Sequence, residues 1–139
     1  MFCQRSPALR GLFAPFTRWS KESIAIYSAI AFLPIMIAVG AAVDYLRAEN
    51  YKAAMQAALD AAILSGGRDG SADWTQIALN TFNAKLSSKY EPLPKPTFVL
   101  DSSTGNYSGT VMGSQPTSIL GIINISSISV TVTAAAVAD

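Results

Sequence analysis

Histidine is missing altogether, and cysteine occurs once, at Cys3. Ser-His-Asp and Cys-His catalysis, and ordinary zinc sites, therefore have no residues from which to be built. No second cysteine is present to close an intrachain disulfide. Cys3 reads as a free thiol in a tail, although a cysteine close to a membrane also admits acylation. The formal net charge is +1, and no basic cluster stands outside the first 22 residues. The electrostatic footprint of a nucleic-acid binder is absent, so nucleic acid is excluded as a partner. The same absences predict no metal, no cofactor and no enzyme. Asp101 with Asp69 or Glu91 would be the only imaginable carboxylate pair. Nothing in their spacing brings them together, and solvated loop acids are the ordinary explanation.

What the chain does contain is an uncharged apolar stretch over residues 23–43. At about 20 residues it is as long as a helix needs to be to cross a bilayer. Arg5, Arg10, Arg18 and Lys21 precede it; Arg47 and Lys52 follow it. Basic residues near a span stay on the cytoplasmic side, so the N-terminus is expected inside and residues 44–139 outside. In a Gram-negative bacterium that means a single pass through the inner membrane with a periplasmic head. A cleaved secretory signal is the competing explanation, with Val39-Gly40-Ala41-Ala42 as the cleavage site. The apolar stretch is longer than a usual signal core of about 7–15 residues, which favours retention. A mitochondrial presequence is disfavoured because Pro7 and Pro15 interrupt any amphipathic helix in the tail.

The order of elements follows from periodicity. Residues 1–22 read as a cytoplasmic basic tail whose Phe13, Phe16 and Trp19 suit headgroup depth. Pro34 is expected to bend the spanning helix. Beyond Asp44 the apolar positions Met55, Ala58, Leu59, Ala62 and Ile63 continue at helical spacing, predicting a helix over about 44–65 that stops at Gly66-Gly67. A turn at Asp69-Gly70-Ser71 follows, and Asp69 with Asp73 lacks the further ligands of a calcium loop. Ser71 is the expected N-cap of a second helix over about 72–90, with Trp74, Ile77, Ala78, Phe82 and Leu86 on its buried face. Pro92, Pro94 and Pro96 then impose an extended linker. From there the period becomes 2, giving strands over about 97–101, 107–112 and 126–134, with Ile119, Leu120, Ile122 and Ile123 as an apolar turn or short helix. The sequons at Asn106 and Asn124 arise often by chance. The expected class is α+β: a long N-terminal transmembrane helix continuing into an amphipathic helix, a second helix and a small antiparallel sheet.

Around the end of the span, Gly40 and Ala41 offer a close-packing face and Pro34 lies below it, while Asp44, Tyr45 and Arg47 mark the exit. Small residues let another membrane helix approach closely. These six residues are the expected contact with a partner helix.

The segments Ile24-Ala25-Ile26, Leu33-Pro34, Gly40-Ala41-Ala42-Val43-Asp44-Tyr45, Arg47 and Gln56-Ala57-Ala58-Leu59-Asp60-Ala61-Ala62 together resemble the N-terminal part of the TadE/TadG-like Flp pilus-assembly proteins. Gly121-Ile122 followed by Ile128-Ser129-Val130-Thr131-Val132-Thr133-Ala134 resembles the strand that closes the first module in many TadG-like chains. The resemblance implies a minor-pilin-like or pseudopilin-like structural or assembly component of a Flp/Tad-type pilus or secretion system. Its implied partners are membrane lipid and other pilus or secretion-system subunits, with homo-oligomerisation and entry into the surface fibre left open. Larger TadG-like proteins continue into a von Willebrand A-type domain, so this sequence reads as a short relative or one module. Pilins carry a glycine before the processing site and a glutamate within the mature helix; here Glu22 precedes the apolar run without that glycine. The leader is therefore expected to be kept. The alternative function is a signal-anchored periplasmic binding module unrelated to pili, which would show a concave pocket with convergent polar groups.

Overall fold

The computed structural model describes residues 19–86 and 88–137. Cys3, Arg5, Arg10 and the rest of the tail before Trp19, with the roles expected of them, lie outside the described residues. Helix α1 spans Trp19–Asp69 and contains Pro34. Helix α2 spans Trp74–Lys85, and a single 3-10 turn covers Ser88–Tyr90. Strands β1 (Thr97–Asp101), β2 (Asn106–Pro116) and β3 (Ser127–Val137) follow, with a second 3-10 turn at Leu120–Ile123. The chain divides into two compact units, Met1–Val39 and Gly40–Asp139. In the first, the described part is the beginning of α1, and Ile24, Ile26, Ile30, Phe32, Leu33 and Ile35 all stand open.

The second unit has a core. Tyr51, Met55, Ala58, Leu59, Ala62 and Ile63 recur three and four residues apart along α1, and all are buried. Trp74, Ala78 and Phe82 of α2 join them, as does Leu86 just past its end. The sheet supplies Tyr107, Val111, Val130 and Val132. It is a three-stranded antiparallel meander in the order β1-β2-β3, with Phe98 opposite Gly109 and Val111 opposite Val132. One face is packed on helix, and Thr110, Met112, Thr131 and Thr133 line an open face. The α+β class read from periodicity is the class observed.

Several boundaries differ from expectation, each for a visible reason. Helix α1 runs through Gly66-Gly67 to Asp69, and Gly70 takes the left-handed conformation (φ 58°) that ends it, its N–H donating to the Gly66 carbonyl at 3.1 Å. Gly66 serves packing instead: a Cβ there would lie 3.0 Å from both the ring and the carbonyl of Trp74. Ser71 does not cap α2. Asp73 occupies the cap position without a side-chain bond, and the Ser71 hydroxyl, two residues earlier, donates to the Asp69 carboxylate and accepts the Asp73 N–H at 3.3 Å. Helix α2 ends at Lys85 instead of near 90, because Leu86 turns to an extended conformation while its N–H still reaches the Phe82 carbonyl at 2.9 Å. The separate turn that follows sets the ring of Tyr90 4.9 Å from that of Tyr51. β1 has the expected bounds, whereas β2 and β3 both run longer than the apolar alternation indicates.

Candidate functional site

Among the described residues Asp44 is the buried carboxylate, with 2% of its surface exposed. It projects from α1 onto the connection between β2 and β3, where three successive backbone amides point at it. Ser118 N–H donates to both carboxylate oxygens at 3.1 Å, Ile119 N–H donates to Oδ2 at 2.8 Å, and Leu120 N–H to Oδ2 at 2.9 Å. The side chain thereby caps the 3-10 turn Leu120–Ile123 from another element, satisfying amides that a helix start leaves unpaired. Arg47 Nη1 donates to Ser118 Oγ at 3.0 Å and stands 3.9 Å from Asp44 Oδ1. The Leu120 amide does most to hold the Asp44 carboxyl below the ordinary aspartate range; Ser118, Ile119 and Arg47 add to it against the opposing effect of burial.

One turn earlier on α1, Gly40 is buried beneath Ile119. A Cβ on Gly40 would overlap that side chain, with the Ile119 Cβ only 2.6 Å away. The surface that sequence reasoning offers to a partner helix at Gly40 is thus filled by the chain's own loop. Asp44 is likewise turned inward. Of the remaining contact candidates, Ala41 is half-buried, and Pro34, Tyr45 and Arg47 are exposed. The role of Ile119 was not legible in sequence, since its partner lies 79 positions earlier. The signal that could have found it was an acidic residue ending an apolar run while an uncharged turn elsewhere offered three free amides.

More than three turns beyond Asp44, Gln56 and Asp60 act together. Gln56 Nε2 donates to Asp60 Oδ1 at 2.8 Å and to the Thr133 carbonyl at 3.1 Å, which ties α1 to β3. Ala58 and Ala62, between and beside them, are fully buried. The other acids weighed for chemistry are used in their own turns. Asp101 accepts from Ser103 N–H (3.0 Å), Ser103 Oγ (2.6 Å) and Thr104 Oγ1 (2.8 Å), and those hydroxyls chiefly lower its pKa. Asp69 accepts from the Ser71 amide at 3.3 Å. A groove of about 440 Å³ lies beside Tyr51 and Tyr90, with Leu93, Met112 and Gln115 on its walls. Burial, and then the neighbouring Tyr90, raise the Tyr51 phenol's pKa.

The Asp44 and Gln56 arrangements both sit on α1, and so does the match to known proteins. The family described as Flp pilus-assembly TadE/G-like covers residues 23–69. Over that segment, which is less than half of the chain, the sequence is TadE/G-like. The TadE/G-like segment starts with the apolar stretch and ends at Asp69, the last residue of α1. It therefore contains Gly40, Asp44, Gln56 and Asp60, but none of the strands. No curated protein and no solved structure matches the chain. The segment is also the one helix among the described residues that is long and apolar enough to cross a membrane.

Proposed function

We propose that this protein is a membrane-anchored structural or assembly component of a Flp/Tad-type pilus or secretion system, with a minor-pilin-like role and no catalytic one. The observation that carries this reading is the coincidence of the TadE/G-like match with a helix whose first half leaves Ile24, Ile26, Ile30, Phe32, Leu33 and Ile35 all uncovered. Large contiguous apolar surfaces of this kind mark membrane or protein contacts. Residues 23–43 cross the inner membrane, the basic tail stays in the cytoplasm, and the α+β head is periplasmic. Lipid and other pilus or secretion-system subunits are its partners, with a second copy of the chain as a further candidate.

The test joins topology to assembly. A reporter enzyme active only in the periplasm, fused after Asp139, is expected to be active, and deletion of the chain is expected to abolish or thin the surface fibre. Activity of a cytosol-only reporter at that position would overturn the orientation. An exported head whose deletion leaves fibres unchanged would transfer the reading to a binding module, for which the groove beside Tyr51 and Tyr90 is the ligand site to probe.

A further inference from the structure

The connection between β2 and β3 carries an apolar surface that the assembly role leaves unused. Ile122 is 76% exposed, Ile123 48% and Ile125 45%. This is not a loose loop. Asp44 holds the amides of Ser118, Ile119 and Leu120, Ile119 lies over Gly40, and Thr117 N–H donates to the Ser126 carbonyl at 3.1 Å. Within the turn, Ile122 N–H reaches the Ile119 carbonyl at 3.0 Å, Asn124 N–H the Gly121 carbonyl at 3.1 Å and Ile125 N–H the Leu120 carbonyl at 3.0 Å. The amides of Thr117, Ser118, Ile119, Leu120, Ile122, Asn124 and Ile125 are therefore paired before anything covers the turn, which lowers the cost of bringing its backbone into an apolar medium.

Three further observations say what covers it. The turn is fixed to residues 40–44 of α1, the last turn of the apolar stretch, so it lies beside the point where the proposed span leaves the bilayer. Between 102 and 138 the sequence has no Asp, Glu, Lys or Arg, so the turn brings no charge of its own; the charges that reach it, Asp44 and Arg47, meet it at Ser118–Leu120, before the isoleucines 122, 123 and 125. Val43, Tyr45 and Leu46 are exposed at the same level of α1, with Arg47 next. Apolar side chains followed by a tyrosine and an arginine are what an interface between hydrocarbon and headgroup accommodates. We propose that residues 121–125 dip into the head-side leaflet beside the span, giving the head a second membrane attachment with Asp44 as the strut that holds it there. This rests on the reading that 23–43 crosses a bilayer.

The experiment uses the full chain with Cys3→Ser and one new cysteine at a time: Ile122→Cys in the turn, Phe32→Cys in the span and Thr131→Cys on the open sheet face. Each is labelled with a nitroxide and reconstituted in phosphatidylethanolamine–phosphatidylglycerol vesicles, and its collisions with oxygen and with a water-soluble nickel chelate are measured. The Ile122 label is expected to collide with nickel several-fold less than the Thr131 label, and adding Asp44→Ala is expected to raise its nickel collisions towards the Thr131 value. If the Ile122 label is as open to nickel as Thr131 while Phe32 is protected, the span stands and the inference falls. If Phe32 is itself open to nickel, the membrane reading fails and takes the inference with it. If protection at Ile122 disappears when the protein is diluted into excess lipid, a second copy covers the turn and lipid does not.

Discussion

Asp44 combines two properties that surface aspartates lack: it is enclosed, and every strong contact it makes favours its ionised form. Its pKa is lowered on folding, so the ionised carboxylate contributes fully above the unfolded aspartate value of about 3.9. That contribution is lost as pH falls below this value and through the lower folded one. Acidification below about pH 4 is therefore expected to release the turn before the core melts. Protection of the Ser118, Ile119 and Leu120 amides from hydrogen exchange, taken relative to an unfolded chain at the same pH, should fall there, and in Asp44→Asn it should already be low at neutral pH with the acid step gone. Asp101 also titrates low, but its partners Ser103 and Thr104 belong to the hairpin, so a local readout separates the two. An acid step at residues 118–120 that persists in Asp44→Asn would remove Asp44 from the account. Gly40 belongs to the same junction. Replacing it with leucine displaces Ile119 first, so that substitution reports on the chain's own loop before it reports on any partner helix.

At the scale of elements, the sequence shows most of what local pattern can carry. The apolar spacing of α1 and α2, the bounds of β1 and the inward face of Ile128, Val130 and Val132 are all legible, because burial on one face imposes a period. The missed parts depend on partners far away in sequence. Gly66-Gly67 looks like a helix stop until Trp74 is seen packed on it. Residues 113–116 of β2 look like a loop because Gly113 interrupts the alternation, yet Gly113 pairs with Val130 and the Tyr51 ring occupies the space where its side chain would be. A Cβ on Gly113 would come within 2.7 Å of Tyr51 Cε1. Gly113→Val therefore raises strand propensity while overfilling the core, and the second effect is the larger. Against a propensity scale that spans about 1 kcal/mol, overpacking costs about 1–3 kcal/mol. A net loss of stability is expected in denaturant unfolding of the detergent-solubilised chain, and a gain would show that Tyr51 is free to move aside. The junction at Asp44 follows the same rule: its acid was legible, but the three amides that it holds were not.

For the molecule as a whole, α1 is exposed in its first half and packed in its second, and the TadE/G-like segment includes both. The second half is committed internally: Gly40 and Asp44 to the β2–β3 turn, Gln56 to β3, and Tyr51 through Ile63 to the core. Under the proposed assembly role, lateral contact with another subunit is expected to use side chains that these leave outward, among them Pro34, Tyr45 and the half-buried Ala41, while Arg47, though exposed, is already engaged by Ser118. Tyr45 is the most informative of them. It is exposed, its removal disturbs no core contact, and aromatic residues contribute strongly to interfaces. Tyr45→Ala should leave membrane level and head protease resistance unchanged while reducing fibre production and crosslinking to other subunits several-fold. A photo-crosslinking aromatic residue at the same position should capture the partner directly. If fibres and crosslinks survive Tyr45→Ala intact, the outward face of α1 is not where subunits meet, and lateral packing at the membrane exit is the wrong mechanism for this protein.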